Sequence, residues 1–212
     1  MNIEDIINLI YIIPAVLIAI IIHEMAHGFV SYKLGDPTPK NSGRLSFNPK
    51  NHLDPIGTIC LILFQFGWAK PVMVNPNYYR NRKLGMALVA LAGPIINFIV
   101  AFIAFCIFGI FMKFNFSGTF IYHIITFIHY LILINLGLGI FNLIPLPPLD
   151  GSKILGALLP DEYYFKFMKF EKYGMILLFI LLSLGVFDKF LLIFQSSLYN
   201  GMKNIIIWMF NI

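Results

Sequence analysis

Apolar residues run along this chain in long, nearly uninterrupted blocks rather than in the alternating or one-faced patterns of a water-soluble fold. Three blocks, residues 6–32, 84–112 and 119–144, are each long enough to cross a hydrocarbon core of about 30 Å at about 1.5 Å per helical residue. Each predicts a membrane-spanning helix. Between the first two, 56–68 (IGTICLILFQFGW) is apolar but too short to span unaided, which suits a re-entrant or interfacial run. Around it stand Pro49, Pro55, Pro71 and Pro76 with Gly43, Gly57 and Gly67, a spacing that predicts extended pieces joined by turns. Such backbone is tolerated at membrane depth only where protein or a water-filled cavity satisfies it. Residues 173–187 and 190–212 read either as two crossings with a turn at Asp188 and Lys189, or as one crossing followed by an interfacial helix. The expectation is an all-α polytopic membrane protein with five or six transmembrane helices and a re-entrant or short extended segment around 43–76. No internal repeat or low-complexity tract interrupts residues 1–212, which read as a single integral-membrane domain.

Composition agrees: 59% of the 212 residues are hydrophobic and 12% charged, far from the balance of a soluble domain. The formal net charge of +5 does not point to nucleic acid, because the basic residues lie between apolar blocks rather than in a soluble basic domain. They report topology. With the first helix running outside to inside, twelve of the 15 Lys and Arg, including Lys33, Arg44, Lys70, Arg82 and Lys153, fall on one side. The positive-inside rule then places the N-terminus outside a cell membrane crossed several times. No Lys or Arg precedes Lys33, so the first block lacks the basic leader of a cleavable signal and reads as a permanent helix. The two cysteines, Cys60 and Cys106, sit in apolar runs without a CxxC partner and suggest neither a disulfide nor a thiolate site.

Chemistry concentrates at residues 23–27, His-Glu-Met-Ala-His. Two histidines four apart on a helix lie about 40° apart around it and about 6 Å along it, so both imidazoles can reach one ion. Glu24, adjacent to the first ligand, is placed to serve as a general base rather than to bind the metal. Shuffling this composition yields HExxH in roughly one chain in several hundred, and a carboxylate in an apolar helix costs about 2.5–3.5 kcal/mol even on lenient scales. A catalytic zinc has three protein ligands and one open position. The candidate for the third is Asp150, in FNLIPLPPLDG (141–151), where Pro145, Pro147 and Pro148 end the preceding helix. The alternative is that Asp150 caps a following helix over 151–159. His23 lies about 15 Å of helix before Lys33, and Asp150 follows the 119–144 block, so both arrive in the cytoplasmic half of the membrane.

HEMAH (23–27), AGPIINF (92–98) and NLIPLPPLDG (142–151) together resemble the site-2 protease family of intramembrane zinc metalloproteases. GRLSFNPKNHLDPIGT (43–58) and FGWAKPVMVNP (66–76) are similar to its compact branch, which carries neither PDZ nor CBS domains. The resemblance implies that His23, His27 and Asp150 bind one Zn2+, that Glu24 activates water, and that Asn142 holds the scissile carbonyl or the developing oxyanion. It further implies membrane-embedded protein or peptide substrates, presented against an exposed edge in 43–76. Asn142 has a plainer alternative as a helix-terminal residue satisfying free carbonyls. Gly93 and Pro94 with Asn97 suggest a helix that packs tightly or unwinds near the site, and packing alone accounts for them. His52 reads as a hydrogen-bonded loop residue, and His123 and His129, six apart, as packing or interfacial residues. Two competing readings are an ion or metal transporter and a catalytically silent adaptor of the same fold; a transporter calls for ionisable groups on several helices.

Overall fold

The computed structural model describes residues 3–55, 57, 70–160, 162–163 and 171–212. Its helices are α1 (Ile3–Lys33), α2 (Thr38–Asn41), α3 (Arg82–Lys113), α4 (Thr119–Asn142), α5 (Asp150–Leu158), α6 (Glu171–Ser183) and α7 (Asp188–Phe210), with 3-10 turns at Pro49–Asn51 and Pro76–Tyr78. Three of the described helices are long and apolar enough to cross a membrane: α1 over Ile7–Lys33, α3 and α4. Even α4, at 24 residues, reaches about 36 Å. Helices α6 and α7 bend by 83° at the break between them and pass the same test only as one broken span. The 13 residues of α6 cover about 20 Å, short of a bilayer core. The described residues thus form an all-α membrane protein, as expected, with three helices long and apolar enough to cross, or four spans if the bent pair is one. The apolar stretch 56–68 lies, apart from Gly57, outside the described residues.

The chain divides into two compact units, one of Met1–Ala19, Asn97–Asn142 and Ile176–Ile212, the other of Ile20–Ile96 and Leu143–Met175. In the first, buried Ala15 and Ala19 of α1 and Ala101 and Ala104 of α3 allow helices to approach closely, the usual device where lipid removes the hydrophobic drive between helices. Phe105, Ile128, Ile132, Leu136 and Ile206 complete its core. Asn97 donates to the Asn135 side-chain oxygen at 2.8 Å and to the Ala19 carbonyl at 3.3 Å, so buried amides tie α1, α3 and α4 together. Helix α7 lies on α4: Gln195 donates to the Leu133 carbonyl at 2.8 Å, and Tyr199 meets His129 edge-on. His123 pairs with Tyr11, whose hydroxyl lies 2.5 Å from Nδ1.

In the second unit the chain turns past α1 at Gly35, whose φ of 102° only glycine adopts cheaply. That turn brings Asp36 back beneath the helix end. Its carboxylate accepts from the Ser31 hydroxyl at 2.8 Å, from Thr38 N at 2.9 Å and from Asn75 N at 2.7 Å, while Ser31 also meets the Tyr79 hydroxyl at 2.7 Å. Burial pushes the Asp36 carboxyl up, but these hydrogen bonds more than offset it and hold it below its ordinary value. A depressed carboxylate stabilises the fold above the unfolded-state pKa of about 3.9, and the contribution disappears as pH falls through the folded value. Asp36→Asn is therefore expected to cost about 1–3 kcal/mol at neutral pH, and to flatten the loss of thermal stability in detergent below about pH 5.

The proline-rich region forms extended pieces and turns where it is described, as its spacing predicts. Lys70 N donates to the His52 carbonyl at 2.8 Å, and the buried Arg44 guanidinium donates to the carbonyls of Asn51 and Lys70. His52, fully buried, is 2.6 Å through Nε2 from the Ser46 carbonyl. After α4 the backbone closes tight turns, with Leu146 N on the Ile144 carbonyl at 2.8 Å and Leu149 N on the Leu146 carbonyl at 2.9 Å. Gly151 lets α5 begin against this turn: a Cβ there would lie 2.3 Å from the Leu143 carbonyl oxygen.

Candidate metal centre

Three buried side chains of the second unit converge. Nε2 of His23 and Nε2 of His27 each lie 3.1 Å from the same oxygen, Oδ2 of Asp150, and the two rings stand 87° apart with centroids separated by 4.6 Å. Relative exposures are 5% for His23, 8% for His27 and 6% for Asp150, so all three groups are buried. The pairing of the histidines follows from helix geometry, since α1 is continuous through 23–27. Asp150 is brought in by the turns before it and by its position in the first turn of α5. That helix is capped by Leu149 and Asp150 makes no side-chain cap, so the capping alternative gives way to a carboxylate turned towards the imidazoles.

Protons show what belongs among these groups. His27 Nδ1 lies 2.7 Å from the Val89 carbonyl, which can only accept, so Nδ1 carries a hydrogen. In the neutral ring Nε2 is then a bare lone pair, facing a carboxylate oxygen that also only accepts. Two acceptors at 3.1 Å in a buried place repel unless a cation lies between them. His23, His27 and Asp150 each offer one ligand atom, all within 4.8 Å of one another, and they form a two-nitrogen, one-oxygen set typical of an open zinc site. The residues fit a zinc ion.

The family model for peptidase family M50 matches residues 11–185, which include all three ligand candidates. The chain belongs to peptidase family M50. This is the site-2 protease family, and membership makes the protein a metalloprotease. It is 39% identical over 173 residues to a candidate zinc metalloprotease, YwhC, of Bacillus subtilis, covering 81% of this chain and 79% of that one. It is 28% identical over 184 residues to zinc metalloprotease MJ0392 of Methanocaldococcus jannaschii, covering 86% of this chain but 44% of the archaeal one, and 26% identical over 180 residues to Rip2 of Mycolicibacterium smegmatis, a candidate zinc metalloprotease. No solved structure matches the chain.

Against that family background the surroundings of the cluster gain meaning. Glu24, half-buried beside the first histidine, accepts a hydrogen bond from Val72 N at 2.9 Å, so the 70–75 piece is tied to α1 at this carboxylate. Gly93 of α3 touches both imidazoles: a Cβ there would lie 2.4 Å from His23 Cε1 and 2.6 Å from His27 Cε1. Asn142, at the end of α4 in the other compact unit, donates to the Leu138 carbonyl at 3.0 Å, the local role open to it from the sequence. His52 is committed to the Ser46 carbonyl and takes no part in the cluster. Sequence spacing did not single out Val72 or Val89, because each acts through its backbone, to which side-chain identity is a poor guide.

Proposed function

We propose that this protein is an intramembrane zinc protease that hydrolyses peptide bonds of membrane-embedded substrates at His23, His27 and Asp150, with Glu24 as general base. The observation that carries this reading is the meeting of two imidazole nitrogens on one buried carboxylate oxygen, 3.1 Å from each, with the Glu24 carboxylate next along the helix. Zinc held there supplies the positive charge that polarises a scissile carbonyl and acidifies a water. The rest is the work of the chain. Glu24 accepts the proton of the attacking water and returns it to the leaving amine, while the Val72 N–H keeps the carboxylate oriented. By the family resemblance, the Asn142 amide would serve the oxyanion that develops on the substrate. A peptide must be unwound before its bond can be reached, and the extended 70–75 piece, with Met73 turned outwards and 70% exposed, offers an edge for it to pair with.

The charge distribution along the sequence supports an external N-terminus and a site in the cytoplasmic half of the bilayer. Helices α1 and α3 each contribute to both compact units, which favours one working membrane domain. The test is purification in detergent, measurement of bound metal, and incubation with labelled transmembrane peptides. One zinc per chain is expected, with cleavage that stops on chelation and returns with added zinc. Stoichiometric metal with no cleavage of any peptide, or ion flux without proteolysis in liposomes, would overturn the reading.

A further inference from the structure

The two oxygens of Asp150 have different company. Oδ2 faces both imidazoles, whereas Oδ1 lies 3.8 Å from Nζ of Lys153. Lys153 sits one turn into α5, three residues on and on the same face, with its side chain 28% exposed. It is a partly buried cation aimed at the half of the carboxylate that the histidines leave alone. A carboxylate with a free second oxygen can swing both oxygens onto one ion, and doing so here would add a fifth donor that crowds the place a hydrolytic site must keep for water and substrate.

We infer that Lys153 is a positioning residue which retains Oδ1 of Asp150, so that the carboxylate binds metal through Oδ2 alone and the fourth position stays open. This rests on the zinc reading of His23, His27 and Asp150. Lys153 acts through Asp150, in the way that outer hydrogen-bonding partners tune metal ligands elsewhere. A purely structural i,i+3 ion pair on a short helix would contribute a few tenths of a kcal/mol and leave the metal's coordination alone.

The experiment compares wild type, Lys153→Met, Lys153→Gln and Lys153→Arg as full-length proteins in detergent, loaded with zinc or with cobalt. Cobalt absorbs strongly in the visible when four-coordinate and more weakly when five-coordinate. The Met and Gln variants are expected to keep one metal per chain, to lose cobalt band intensity, and to show kcat lowered about 10-fold with KM little changed. Lys153→Arg is expected to restore both the spectrum and kcat. A wild-type spectrum and wild-type kcat in the Met and Gln variants would overturn the inference. So would loss of the metal from them, or an Arg variant as impaired as they are, since either means that the cation does not act by holding Oδ1. Failure of the parent reading looks different, because wild type itself would then bind no metal or cleave nothing.

Discussion

Glu24→Gln is expected to lower peptide cleavage by about 10²- to 10⁴-fold, roughly 3–5 kcal/mol in the barrier, while leaving one zinc bound per chain. The substitution is nearly isosteric. Its amide oxygen can still accept from Val72 N, now 2.9 Å from Oε2, so the 70–75 piece has no reason to move. Nor does the change touch His23, His27 or Asp150, the three groups proposed to hold the ion. What disappears is the ability to take a proton. Glu24→Ala removes both the base and the hydrogen-bond acceptor, so it should match the loss in rate and additionally release the Val72 segment, visible as faster amide exchange there. Bound metal by elemental analysis, kcat on a transmembrane peptide and local exchange together separate the two effects. A Gln variant that cleaves at more than a tenth of the wild-type rate would remove Glu24 from the chemistry.

Gly93→Ala is expected to deprive the protein of its metal. On an ordinary helix this exchange is favourable by about 1 kcal/mol, because alanine loses less backbone entropy. Here the new Cβ would stand 2.4 Å from His23 Cε1 and 2.6 Å from His27 Cε1, far inside contact distance. The imidazoles cannot simply step aside. His27 is tied to the Val89 carbonyl one turn earlier on the same helix, so moving α3 away also breaks the bond that fixes the His27 proton. Overpacking of this kind costs about 1–3 kcal/mol, enough to reverse the helix gain, and it falls on the two groups whose alignment a zinc ion requires. Zinc affinity should fall by at least about 100-fold, at the upper end of what disturbing metal-supporting contacts does. Gly139→Ala is the control, since its Cβ would press on the Phe98 ring at 2.7 Å, within the other compact unit. It should reduce thermal stability and leave zinc affinity unchanged. Equal metal loss in both variants would mean that Gly93 matters only as a packing glycine.

The long helices were legible in advance because lipid removes the need for amphipathic patterning: an apolar block of sufficient length must be helical to satisfy its own backbone. Blocks 6–32, 84–112 and 119–144 accordingly match α1, α3 and α4 within a few residues. Residues 173–212 were harder, since a broken apolar run can bend or cross, and the 83° break between α6 and α7 depends on packing that hydropathy does not contain. Asp150 was reachable through its proline-rich turn, but the same residue could have capped a helix, and only its observed surroundings separate the two roles.

From the sequence alone came the membrane class, the three long helices and the juxtaposition of His23 with His27, all consequences of spacing along one strand of backbone. The tertiary structure alone decided that one oxygen of Asp150 meets both rings, that Val89 and Val72 supply backbone partners to His27 and Glu24, and that Gly93 is the residue on which both imidazoles rest. Helical periodicity relates neighbours within a turn or two. The contacts of residue 72 with 24, and of 93 and 150 with 23, arise from how separate segments pack, and no local period encodes that.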